Sequence, residues 1–118
     1  MRVLVVEDDP DISDALKQML EFEGYAVACA RHGLDALAKL REDDGTADLI
    51  LLDLRMPVMD GFAFREAQLG DAALKEIPVV VVTADSHAAE RSATLHVDTI
   101  LRKPVDPGHL LDVVKTFA

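Results

Sequence analysis

Apolar residues gather in five short runs, at 2–6, 25–29, 49–52, 79–82 and 97–101, and the longer stretches between them carry apolar positions at helical spacing. This alternation predicts a repeated strand–helix chain. Ile12, Leu16, Met19 and Leu20 follow Asp9-Pro10, a capping residue and a proline at the first helical position, and Gly24 marks the stop. Leu34, Leu37, Ala38 and Leu40 carry a second helix that ends in Glu42-Asp43-Asp44-Gly45. A third follows Asp60-Gly61 through Phe62, Phe64 and Ala67 to about Leu69-Gly70; because Phe62 and Phe64 are two apart, at most one should face the core. A fourth, weakly apolar helix is expected over about 86–95. A fifth opens at Asp106-Pro107 and carries Leu110, Leu111, Val114 and Phe117.

The first, third and fourth runs are apolar at nearly every position, as strands are when helices cover both faces of a parallel sheet. An open doubly wound sheet follows, and in such sheets functional groups collect beyond the carboxyl ends of the strands. Those places read Glu7-Asp8-Asp9, Asp53, Thr83-Ala84 and Lys103-Pro104. If the four strands are neighbours, the carboxylates of Glu7, Asp8 and Asp53 converge beside a hydroxyl and an ammonium. Such a cluster is costly unless a cation fills it. A few hard oxygens with room for water suit Mg²⁺. A carboxylate can take a phosphoryl group covalently, a transfer that needs in-line positioning and neutralised equatorial oxygens. Mg²⁺, Lys103 and Thr83 could supply that neutralisation.

At 118 residues the chain has room for one domain, 1–118, and 50% apolar with 29% charged residues is globular composition. A net charge of −10 with scattered Lys and Arg argues against direct nucleic-acid binding and against acidic membranes. Cys29 is the only cysteine, so there is no internal disulfide, and its apolar run makes it a buried, inert thiol. The first apolar run ends at Glu7, too early for a signal peptide or a membrane span, which points to a cytoplasmic protein. His32, His87, His96 and His109 have no ligand spacing and are expected on the surface. Met1 at the start of the first strand and a helix ending at Ala118 fit a stand-alone domain.

Taken in order, Val5-Val6-Glu7-Asp8-Asp9-Pro10, Leu52-Asp53-Leu54-Arg55-Met56-Pro57, Met59-Asp60-Gly61, Val82-Thr83-Ala84 and Lys103-Pro104 resemble the receiver domain of two-component response regulators across essentially the whole chain. The resemblance implies an α/β, flavodoxin-like (βα)5 sandwich with a five-stranded parallel sheet in the order 2-1-3-4-5. It implies phosphorylation of Asp53 with Mg²⁺ held by Asp53, by Asp8 directly, by Glu7 through water and by the Arg55 backbone carbonyl. Thr83 and Lys103 would contact the phosphoryl oxygens, and Pro104 would follow a cis peptide bond. The donor would be a phosphohistidine on a sensor histidine kinase or histidine phosphotransfer protein. A downstream protein effector would read the surface of the fourth helix, fifth strand and fifth helix. Such a domain is a monomer or a weak phosphorylation-dependent dimer, and it catalyses only its own phosphoryl transfer and dephosphorylation.

The chain departs from that pattern in three ways. Ile100 stands three residues before Lys103, where the family usually has an aromatic switch, and the segment between Thr83 and Lys103 is slightly short. Arg55 lies two residues beyond Asp53, opposite Asp85 two beyond Thr83, so it either bridges to Asp85 or points to solvent. Three other functions compete. A phosphatase of the haloacid dehalogenase type would need its aspartate nucleophile at the end of the first strand, an adaptor would bind partners without phosphorylation, and a flavin site would need a Gly-rich first loop.

Overall fold

The structure is a computed structural model that describes residues 1–42, 46–85, 87, 90, 95–97 and 99–118. Its elements are β1 (Arg2–Val6), α1 (Pro10–Phe22), β2 (Ala26–Ala30), α2 (Gly33–Arg41), β3 (Leu49–Leu52), α3 (Gly61–Leu69), β4 (Val79–Thr83), β5 (Thr99–Arg102) and the C-terminal helix α4 (Pro107–Lys115). The five strands form one parallel sheet in the order β2-β1-β3-β4-β5, the doubly wound arrangement expected. The fifth predicted helix is α4, while the fourth, expected at 86–95, falls mostly outside the described residues. β2 starts one residue later than the apolar run, because the Tyr25 N–H donates to Leu20 O at the end of α1 (3.2 Å) instead of joining the sheet. β5 starts two residues later and runs to Arg102, which pairs with Thr83.

Alternating strand residues feed two cores, one on each face. Val3, Val5, Leu49, Leu51, Val80, Val82 and Leu101 meet Leu16 and Leu20 of α1 and Leu110 and Val114 of α4. Leu4, Val6, Ile50, Leu52, Val79 and Val81 meet Leu37, Leu40 and Phe64 of α2 and α3. Phe64 is fully buried and Phe62 only partly so. Cys29 is half-buried, not buried as expected, since β2 lies at the edge of the sheet.

Side chains at the helix starts fix how each strand turns. Asp9 accepts from the Asp11 and Ile12 N–H groups, Asp60 from Ala63 and Asp106 from His109, which satisfies donors the first turn leaves open. His32 was expected on the surface but is half-buried, its Nδ1 accepting from the Asp35 N–H (3.1 Å) as the cap of α2. α3 also carries a buried polar pair. Arg65 donates to Leu95 O (2.9 Å), His96 O (2.8 Å) and Gln68 Oε1 (2.8 Å), and Gln68 Nε2 donates to Leu74 O and Ile77 O (both 3.0 Å). Among the described residues, no helix is long and apolar enough to cross a membrane.

Candidate functional site

Each strand-end residue is tied by its backbone to the neighbouring strand. The Glu7 N–H donates to Ala30 O (3.0 Å), the Asp53 N–H to Val6 O (3.0 Å) and the Lys103 N–H to Thr83 O (2.9 Å). The sheet ladder therefore extends one step past β1, β3 and β5 and delivers the three side chains to one place. Glu7, Asp53 and Thr83 are buried, Lys103 is half-buried and Asp8 is exposed. Carboxylate oxygens of Glu7, Asp8 and Asp53 lie within 4.8 Å of one another. Lys103 Nζ stands 2.7 Å from Glu7 Oε2 and 3.4 Å from Asp53 Oδ2. Glu7, Asp8, Asp53 and Lys103 are thus brought together, with Thr83 at the end of the neighbouring strand β4, while Asp9 caps α1.

Burial pushes the Glu7 carboxyl above its ordinary range and the Asp53 charge adds to the rise, although the hydrogen bond from Lys103 opposes both. Burial alone would lower the Lys103 pKa, but its hydrogen bond to Glu7 and the field of Asp53 outweigh that and raise it. Lys103 is therefore a fixed cation aimed at two carboxylates. The carboxylates outnumber it, which leaves a net negative pocket of hard oxygens with one exposed member. That donor set suits a small divalent ion with retained water.

The rim is formed by the β3–α3 loop and the residues after β4. The Arg55 N–H donates to Asp53 Oδ1 (3.3 Å), and the Arg55 guanidinium pairs with Asp85 through Nε (2.9 Å) and Nη2. The salt bridge that the spacing left open is formed, although the Arg55 side chain remains 74% exposed. The Asp85 N–H in turn donates to Thr83 Oγ1 (3.2 Å). Val58, 72% exposed, has φ 68° with the Met59 N–H on Pro57 O (2.7 Å), a three-residue turn that strains a β-branched residue. A side chain at Gly61 would put its Cβ 2.5 Å from Asp53 O and 2.7 Å from Leu54 Cα, so α3 begins against the backbone of the site. The Lys103–Pro104 bond is cis. Ile100 is half-buried against the core on the α2–α3 face. Sequence reading missed Arg65, which lies away from the strand ends and binds mainly backbone carbonyls.

A family model of the response regulator receiver domain matches residues 3–115. The chain is 36% identical over 115 residues to response regulator MprA of Mycobacterium avium, covering 94% of this chain and 48% of that protein. It thus spans about half the length of the MprA relatives it matches. The signal receiver domain of a signal transduction histidine kinase from Syntrophus aciditrophicus has a TM-score of 0.89 at 34% identity, over 98% of this chain and 88% of that one. TrrA of Thermotoga maritima, solved in complex with Mg(2+)-BeF, has a TM-score of 0.87 at 30% identity, over 99% and 98% of the two chains. A family match that runs from β1 to the end of α4, on a backbone shared with solved receiver domains, establishes that this chain belongs to the response regulator receiver domain family of two-component systems.

Proposed function

We propose that the domain is a switch controlled by phosphorylation of Asp53. The observation that carries this reading is Lys103 Nζ, held between Glu7 Oε2 and Asp53 Oδ2 within the carboxylate cluster. Glu7, Asp8, Asp53 and the Arg55 carbonyl would hold Mg²⁺, which when bound supplies neutralising charge to the phosphoryl oxygens. An Asp53 carboxylate oxygen attacks phosphorus as the bond to the donor's histidine nitrogen breaks, and the imidazole leaves with the electron pair. The Lys103 ammonium takes up charge on the transferred oxygens, and the buried Thr83 hydroxyl donates a hydrogen bond to one of them. Attack by water on the acyl phosphate returns the domain to its resting state.

The donor is a phosphohistidine on a sensor kinase or phosphotransfer protein, and the output is a protein effector that reads residues 83–103 and α4. The net charge of −10 disfavours direct nucleic-acid contact. The test is intact mass after incubation with acetyl phosphate, with and without Mg²⁺. The parent should gain phosphoryl mass only with Mg²⁺, and Asp53→Asn should gain none. Labelling of Asp53→Asn at the parent rate overturns the assignment, and a phosphopeptide bearing Asp9 favours the phosphatase-type chemistry.

A further inference from the structure

Four hydrogen-bonding groups run in sequence around the rim of the site. Asp53 Oδ1 accepts from the Arg55 N–H, the Arg55 guanidinium holds Asp85 Oδ2, the Asp85 N–H donates to Thr83 Oγ1, and Thr83 is the last residue of β4. Asp85 Oδ1 also accepts from the His87 N–H (2.8 Å), which fixes the carboxylate in the loop after β4. The two ends of the ion pair are unlike. The Asp85 side chain is 12% exposed, whereas the Arg55 side chain is 74% exposed on a stem rooted two residues from the acceptor.

We propose that Arg55 is the trigger arm of the switch, holding Asp85 and the Thr83 loop while Asp53 is a bare carboxylate and passing to the phosphoryl oxygens once Asp53 is phosphorylated. The inference rests on the reading of Asp53 as acceptor. A phosphoryl group brings about −1.5 to −2 of charge and three strong acceptor oxygens, against the single charge of Asp85. A guanidinium matches phosphate oxygens bidentately, so the more highly charged partner wins the competition. With Arg55 drawn to the phosphoryl group, the ion pair that ties the loop after β4 to the β3–α3 loop is broken, and Asp85 shifts from its resting place. Because the Asp85 N–H is bonded to the Thr83 hydroxyl, that movement frees Thr83 to turn to the phosphoryl group. Arg55 and Asp85 are thus positioning residues that convert charge at Asp53 into displacement of the loop after β4. Burial of Asp85 keeps the latch closed at rest, and exposure of Arg55 leaves the arm free to swing.

The test is an NMR titration with beryllofluoride and Mg²⁺, a phosphoryl mimic, on the parent, Asp85→Asn, Arg55→Gln/Asp85→Asn and Asp53→Asn. Asp85→Asn keeps the backbone bond to Thr83 but removes the charge that holds the arm, so it should bind the mimic about two- to tenfold more tightly than the parent, the range of a partly exposed ion pair. Its unliganded amide shifts at 83–87 should lie partway along the line from free to bound parent, which a merely structural role would not produce. Adding Arg55→Gln should then weaken binding, because the arm's contact with the mimic is lost. If Asp53→Asn fails to bind but Asp85→Asn binds no more tightly than the parent, or Arg55→Gln has no effect in that background, the trigger is wrong and the acceptor assignment stands. Binding that survives Asp53→Asn overturns both.

Discussion

Glu7 is a buried carboxyl whose pKa stands above the ordinary 4.5, first because of burial and then because of Asp53, in spite of its bond to Lys103. The folded state therefore holds the Glu7 proton to a higher pH than the unfolded chain does, and this group's contribution to stability falls as pH rises above 4.5 through the folded pKa. Glu7→Gln fixes the neutral form. In metal-free buffer the variant should match the parent near pH 4 and become progressively more stable than it as pH rises toward 7. Melting curves across that range check the sign; a difference that runs the other way means that the Lys103 pairing outweighs burial. At this scale the site was legible because Glu7, Asp8, Asp53, Thr83 and Lys103 each sit at or just past the end of an apolar run, where residues meet once the strands are neighbours. The Arg55–Asp85 pair was legible only as an alternative, since spacing sets which loops carry the two charges but not which way a long side chain turns.

Among the elements, α3 shows what periodicity cannot reach. An arginine in an amphipathic helix reads as solvent-facing, yet Arg65 is buried and its guanidinium grips the Leu95 and His96 carbonyls some 30 residues away. His96 stands there at φ 53°, a left-handed conformation that histidine adopts more readily than most residues. Backbone carbonyls have no sequence identity, so nothing in the pattern names them as partners. Arg65→Met should leave these carbonyls and Gln68 Oε1 without their donor, and each unsatisfied buried acceptor costs about 1–3 kcal/mol. Partial access of water should reduce the total to about 2–4 kcal/mol in urea unfolding. A loss below about 0.5 kcal/mol would show that the clamp is not structural. Edge position likewise decided Cys29. Its apolar neighbours suggested burial, but β2 has a strand on one side only.

For the whole molecule, the continuous apolar runs were enough to indicate a sheet covered on both faces, because that arrangement hides every side chain of β3 and β4 and all of β1 after Arg2. The strand order came from the resemblance, since alternation of strands and helices leaves several windings open. Mg²⁺ bound only by the folded state stabilises it by RT ln(1 + [L]/Kd), about 1.4 kcal/mol at ten times Kd, or roughly 4–8 °C in a domain of this size. Asp8→Ala should lose that shift while NaCl at matched ionic strength fails to reproduce it; an equal shift in the variant counts against the site. Gly61 limits how such a molecule can diverge. With the backbone of residues 53 and 54 inside the space of any side chain there, the acceptor and the start of α3 form one unit in which a single substitution is penalised whatever its chemistry. Variation that tunes how readily the site is charged, or how long it stays so, has more room at the rim, where the side chains of Arg55 and Val58 are exposed.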